Sequence, residues 1–138
     1  MSHFLTLVLV SETEPDPESR ARELMLPYFA PDRDTPQSRC DGFTIGGKYD
    51  GLIWGKEQHY NLRPSEYQER YGLDVVTPED NIRPVSALLP DLVPYAIVTP
   101  DGLWHDRDGM TPEQWSRRSR SLLQQYREGI AVAIDCHY

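Results

Sequence analysis

The sequence is short of most of the residues by which a function is usually read. It has two cysteines in 138 residues, Cys40 and Cys136, too few and too unpatterned for a secreted disulfide scaffold. Reduced thiols and a cytoplasmic setting are the expectation that follows. No apolar run reaches the length of a membrane span, and no basic segment precedes the apolar Phe4–Val10 stretch as it would in a secretory leader. H-E-x-x-H, C-x-x-C, the Walker spacing, the G-x-G-x-x-G fingerprint and a Ser-His-Asp ordering signature are all missing. Basic residues are also scarce: 14 Lys and Arg against 22 Asp and Glu leave a net charge of −8. That balance argues against a general nucleic-acid or membrane-surface binder. It leaves room for a basic protein partner, or for mimicry of nucleic-acid charge.

The only two lysines, Lys48 and Lys56, fall in the stretch richest in unusual residues. From Asp41 to Lys56 it holds five glycines, three aromatics and two aspartates. Its pattern predicts a bent strand or a strand–turn–strand with a glycine corner. Gly46-Gly47 can take positive φ where Lys48 and Tyr49 cannot do so cheaply. Successive amides in such a corner form an anion-binding nest, and Tyr49 and Trp54 offer faces for stacking. The plain alternative is a glycine-cornered hairpin with Phe43, Ile45, Leu52 and Trp54 in the core.

The length suits one domain, residues 1–138, with one core. His3–Val10 reads as a central strand buried on both faces. Asp16 and Pro17 start a helix carrying Ala21, Leu24, Met25 and Tyr28, and Pro27 stops or kinks it. Glu57 to Val93 is a long connection with a two-turn helix at Pro64–Gly72, a short strand at Leu73–Val76 and a helical turn at Pro84–Leu89. His59, Tyr60 and Asn61 open it, within reach of the glycine corner. Tyr95–Val98 and Leu103–His105 flank Thr99-Pro100-Asp101-Gly102 as a hairpin. Thr111-Pro112-Glu113 is the clearest helix start, and Gly129 closes that helix before a last strand, Ile130–Asp135. Cys136 and His137 then point to opposite sides, which weakens a joint metal or catalytic role.

This order predicts an α+β, ferredoxin-like sandwich: an antiparallel sheet with two main helices on one face and an elaborated central connection. The first strand and Tyr95–Val98 form its central pair. The last strand lies beside the first, which brings His137 near His3. A metal there needs two more ligands, and none is assignable, so no metal or cofactor is expected. An exposed sheet edge leaves a homodimer open.

Three pieces also resemble a family of small uncharacterised proteins from bacteriophage and actinomycete genomes. They are Asp41–Gly51, Val98–His105 and Ala133–Tyr138. Relatives carry an Ile-Gly-Gly-Arg-Trp-x-Gly pattern, a Val-Thr-Pro-Asp-Gly-x-Trp turn and a Val-Asp-x-His ending; Lys48 and Tyr49 stand here in place of Arg and Trp. The resemblance implies a phage accessory role, in the host cytoplasm, and no particular chemistry.

The leading functional expectation is a non-enzymatic protein binding a phosphate-bearing or nucleotide-like small molecule, with sequestration of a host signal as one use. Its pocket would be built from Gly46, Gly47, Lys48, Tyr49, Trp54, His59, Trp104 and His105. One alternative is an acidic inhibitor or adaptor of a nucleic-acid enzyme, using Glu12–Glu18 and Asp74–Asp80. The other is a small hydrolase drawing on His59, His105, His137, Asp50 and Asp106, at least two of which would have to converge.

Overall fold

The computed structural model describes residues 3–30, 36–55 and 78–138. Within them the fold is α+β, built on a mixed six-stranded sheet. The expected helix at Pro64–Gly72 and strand at Leu73–Val76 lie outside the described residues. Among the described residues, no helix is long and apolar enough to cross a membrane.

Strand β1, His3–Val10, is buried along almost its whole length. Helix α1, Pro17–Met25, begins as its residues dictate: the Asp16 carboxylate accepts from Ser19 N–H, and Pro17 occupies the first turn. Pro27 cannot continue the helix, and the chain tightens into a single 3₁₀ turn over Leu26–Tyr28. The capping hydrogen bonds from Ser19 hold the Asp16 carboxyl below its ordinary pKa.

Strand β2, Gly42–Ile45, opens the glycine-rich segment. The second half of that segment is not a strand. It forms two 3₁₀ turns, Gly47–Tyr49 and Leu52–Trp54, because Gly46, Gly51 and Gly55 all sit at positive φ and break the extended path. A further strand, β3, covers Ile82–Pro84, followed by a 3₁₀ turn at Val85–Ala87. Strands β4, Ala96–Val98, and β5, Trp104–Asp106, make the expected hairpin, with Gly102 at φ 85° in its turn. Helix α2, Pro112–Gln125, starts with a full capping box between Thr111 and Gln114. Strand β6, Ile130–His137, completes the sheet.

The strand order is β2-β6-β1-β4-β5, with β3 also paired to β6. β1 lies between β4 and β6, as expected for the central pair and the last strand, but it runs antiparallel to β6 and parallel to β4, so the sheet is mixed and not the antiparallel sheet expected. The two short strands share one edge of β6. β2 pairs with Ile134–His137 and β3 with Ile130–Val132, while Gly46 N–H bonds the Ala133 carbonyl where one gives way to the other.

The helices are not on one face, in contrast to the ferredoxin-like arrangement expected from the sequence. Val8 and Val10 of β1 pack with Ala21, Leu24 and Met25 of α1. Leu5, Leu7 and Leu9 pack on the other side with Trp115 and Leu122 of α2. Side chains alternate across a strand, so a strand apolar at nearly every position has two dry faces to cover. One helix for each face is the solution adopted, giving three layers.

Candidate functional site

The glycine corner is built to hold an anion, and the anion it holds belongs to the protein. Gly46 and Gly47 adopt φ of 78° and 54°, and the next amide, Lys48 N–H, donates to Asp135 Oδ2 over 2.9 Å. A Cβ at Gly47 would lie 2.5 Å from that same oxygen. Glycine is required there because β6 brings a carboxylate against the backbone. Gly46 is constrained in the same way: a Cβ would fall 1.8 Å from Asp50 Oδ1. Asp50 in turn accepts from Asn81 Nδ2 at 3.1 Å, and Asn81 Oδ1 accepts from Gly51 N–H at 3.2 Å.

Asp135 passes this positioning on. Its Oδ1 lies 2.8 Å from His3 Nδ1. Directly across the ladder from His3 stands His137, whose own Nδ1 meets Asp41 Oδ1 at 3.0 Å. The two imidazole rings meet edge to face with centroids 4.9 Å apart. A carboxylate on Nδ1 makes that nitrogen the donor and leaves Nε2 as each ring's remaining functional atom. Both rings are accessible, His3 at 30% and His137 at 28% side-chain exposure. Tyr49 packs nearby over the α2 face; burial, then the charge of Asp135, pushes its phenol above the ordinary value.

The residues expected to form a ligand pocket divide between the two edges of the sheet. Gly46, Gly47, Lys48, Tyr49 and Trp54 lie at the β2/β3 edge. Trp54 donates from Nε1 to the Ile82 carbonyl at 3.0 Å, and the Arg83 guanidinium sits 4.5 Å from its ring centroid. Trp104 and His105 lie on β5 at the far edge, four strand spacings or about 19 Å away. Trp104 packs against Phe4 and Tyr28, while His105 Nε2 meets Thr99 Oγ1 at 3.2 Å. Burial, reinforced by Arg118, lowers the pKa of His105. His59 falls outside the described residues.

Among the acid–base candidates, Asp50 is engaged by Asn81 and Asp106 by Trp104 Nε1, 2.8 Å from Oδ2. Among the described candidates, only His137 meets a second imidazole, that of His3; Asp41 anchors His137 and Asp135 anchors His3. The approach of His3 and His137 follows from the strand order, but the two carboxylates were missed. A signal was present. Asp135 is the one charge in the strand Ile130–His137, and alternation puts it on the same face as His137.

No group of three or more His, Cys, Asp or Glu side chains among the described residues is arranged to hold a metal ion. Cys40 and Cys136 are both buried in the α1-side core, facing away from the histidines. Contact with Cys40, then burial, pushes the Cys136 thiol up. Comparison with protein-family models, with curated proteins and with solved structures finds no match to this chain.

Proposed function

We propose that the paired imidazoles His3 and His137 form a general acid–base centre that hydrolyses a phosphate ester. The observation that carries this reading is the pair of Nδ1-anchored, accessible rings with centroids 4.9 Å apart. One neutral imidazole takes a proton from the attacking water through Nε2. The other, as imidazolium, gives a proton to the leaving oxygen and supplies positive charge beside the phosphoryl group. Asp135 and Asp41 orient the rings through Nδ1. The reading keeps the phosphate-bearing small molecule expected from the sequence. It moves the point of contact from the glycine corner, whose amide is taken by Asp135, to the two rings.

The test is release of nitrophenol from bis(p-nitrophenyl) phosphate and p-nitrophenyl phosphate by wild type, His3→Gln and His137→Gln. Wild type is expected to turn over one of them with a bell-shaped pH profile. Each substitution is expected to lower the rate about 10²–10⁴-fold, with the double variant little worse than either single one. Thermal melts check that the variants fold. Absence of turnover by wild type on both esters, or equal rates in the folded variants, would sink the proposal.

A further inference from the structure

A second site lies on the opposite face of the sheet, towards the β5 edge. Phe4 forms its floor. Tyr95 packs on Phe4 with ring centroids 4.6 Å apart, Tyr138 edge-on at 5.5 Å and Trp104 edge-on at 6.2 Å. Together with Arg39 and Asp106 these rings line a cleft of about 270 Å³. Beyond Arg39, Tyr95 and Asp106 it continues into an open shelf bounded by Arg107, Asp108 and Gly109. Tyr95 and Tyr138 leave large parts of their rings in solvent.

A cleft walled by aromatic rings favours a flat, polarisable guest, because stacking rewards any planar ring. The polar groups narrow the choice. Asp106 is held rigidly: Oδ2 accepts from Trp104 Nε1 and Oδ1 from Asp108 N–H, each at 2.8 Å. Each carboxylate oxygen keeps a second lone pair, so Asp106 accepts further N–H donors from a guest. Arg39 and Arg107 supply cationic groups for acceptor atoms or for a phosphate at the open end.

We propose that this cleft binds a planar nitrogen heterocycle that presents N–H donors along one edge to Asp106, the pattern of a guanine nucleotide. The ring stacks against Tyr95, and the phosphate extends towards Arg107. The inference stands apart from the acid–base reading, since it uses neither histidine of that pair and needs no turnover.

The test is equilibrium dialysis of the full chain against GMP, AMP and ribose 5-phosphate, with wild type, Tyr95→Ala and Asp106→Asn. GMP is expected to be retained at least tenfold more strongly than AMP, and ribose 5-phosphate not at all. Both variants are expected to weaken GMP retention about tenfold or more. Thermal melts and retention by the milder variant Tyr95→Phe, which keeps the ring, separate loss of stacking from loss of fold. No retention of GMP at millimolar concentration overturns the proposal. So does equal retention of AMP, which removes Asp106 from ring recognition, or equal retention of ribose 5-phosphate, which reduces the site to a phosphate contact.

Discussion

Asp135 and Asp41 give two neighbouring histidines the same kind of partner from very different footings. Asp135 is 6% exposed at its side chain, sits inside an eight-residue strand, and is gripped by Lys48 N–H and the face of Gly47. Asp41 is 19% exposed and sits in the bend before β2, tied to β6 by its own amide on the His137 carbonyl. A buried carboxylate with two donors belongs to the core and fails with it. A half-buried carboxylate in a bend orients its ring and contributes less to the fold. One ring is therefore fixed by the architecture and the other by a replaceable contact.

The sharpest way to break this contrast is at the glycines beside each pair. Gly47→Ala puts a Cβ at positive φ and against Asp135, and is expected to cost about 4 kcal/mol in urea unfolding. Gly42→Ala, on the Asp41 side, meets nothing within 4 Å and is expected to change stability by under about 0.5 kcal/mol. Equal losses at the two positions would remove the distinction. Next come the carboxylates themselves. Asp135→Ala removes a buried carboxylate, strands the half-buried Lys48 amide and His3 Nδ1, and is expected to cost roughly 3 kcal/mol. Asp41→Ala, at a half-buried hydrogen bond, is expected to cost about 1 kcal/mol. The same denaturation curves measure both.

The smallest effect sharpens the comparison with a third imidazole. His105 meets the hydroxyl of Thr99, and burial, reinforced by Arg118, lowers its folded pKa. The folded state thus binds its proton less readily than the unfolded chain does. Stability from this source is present above the ordinary histidine value of about 6.5 and is lost as pH falls through it. His105→Gln is expected to flatten the acid side of the melting-temperature profile slightly. An unchanged profile would remove His105 from the pH response.

Much of the scaffold was legible because its signals are local. Thr111-Pro112 announces α2 through capping chemistry alone, and Pro100-Asp101-Gly102 announces the β4–β5 hairpin. The neighbouring of β1 and β6, and so of His3 and His137, followed from the order of elements. What stayed hidden depends on distant residues. The glycine corner reads as an anion nest, but its anion lies 87 positions away on β6. β3 is three residues ending in Pro84, and only the open edge of β6 beside Ala131 makes it a strand. The faces chosen by the helices could not be read from β1, since its apolar run marks both faces alike. Trp104 and Trp54 share aromatic character but stand at opposite edges of the sheet, a separation that composition does not encode.

The edges of that sheet have a consequence for how copies of the chain meet. β6 spans eight residues, yet its outer side is split between the four residues of β2 and the three of β3, and the far edge is the three-residue β5. A second molecule adding itself by strand pairing to one of these described edge strands would find four residues of ladder at most. Short, interrupted edges of this kind give a poor template for fibrils and for runaway polymerisation. The break at Ala133 that lets the glycine corner turn inward is also what keeps the longest strand from offering an unbroken rim.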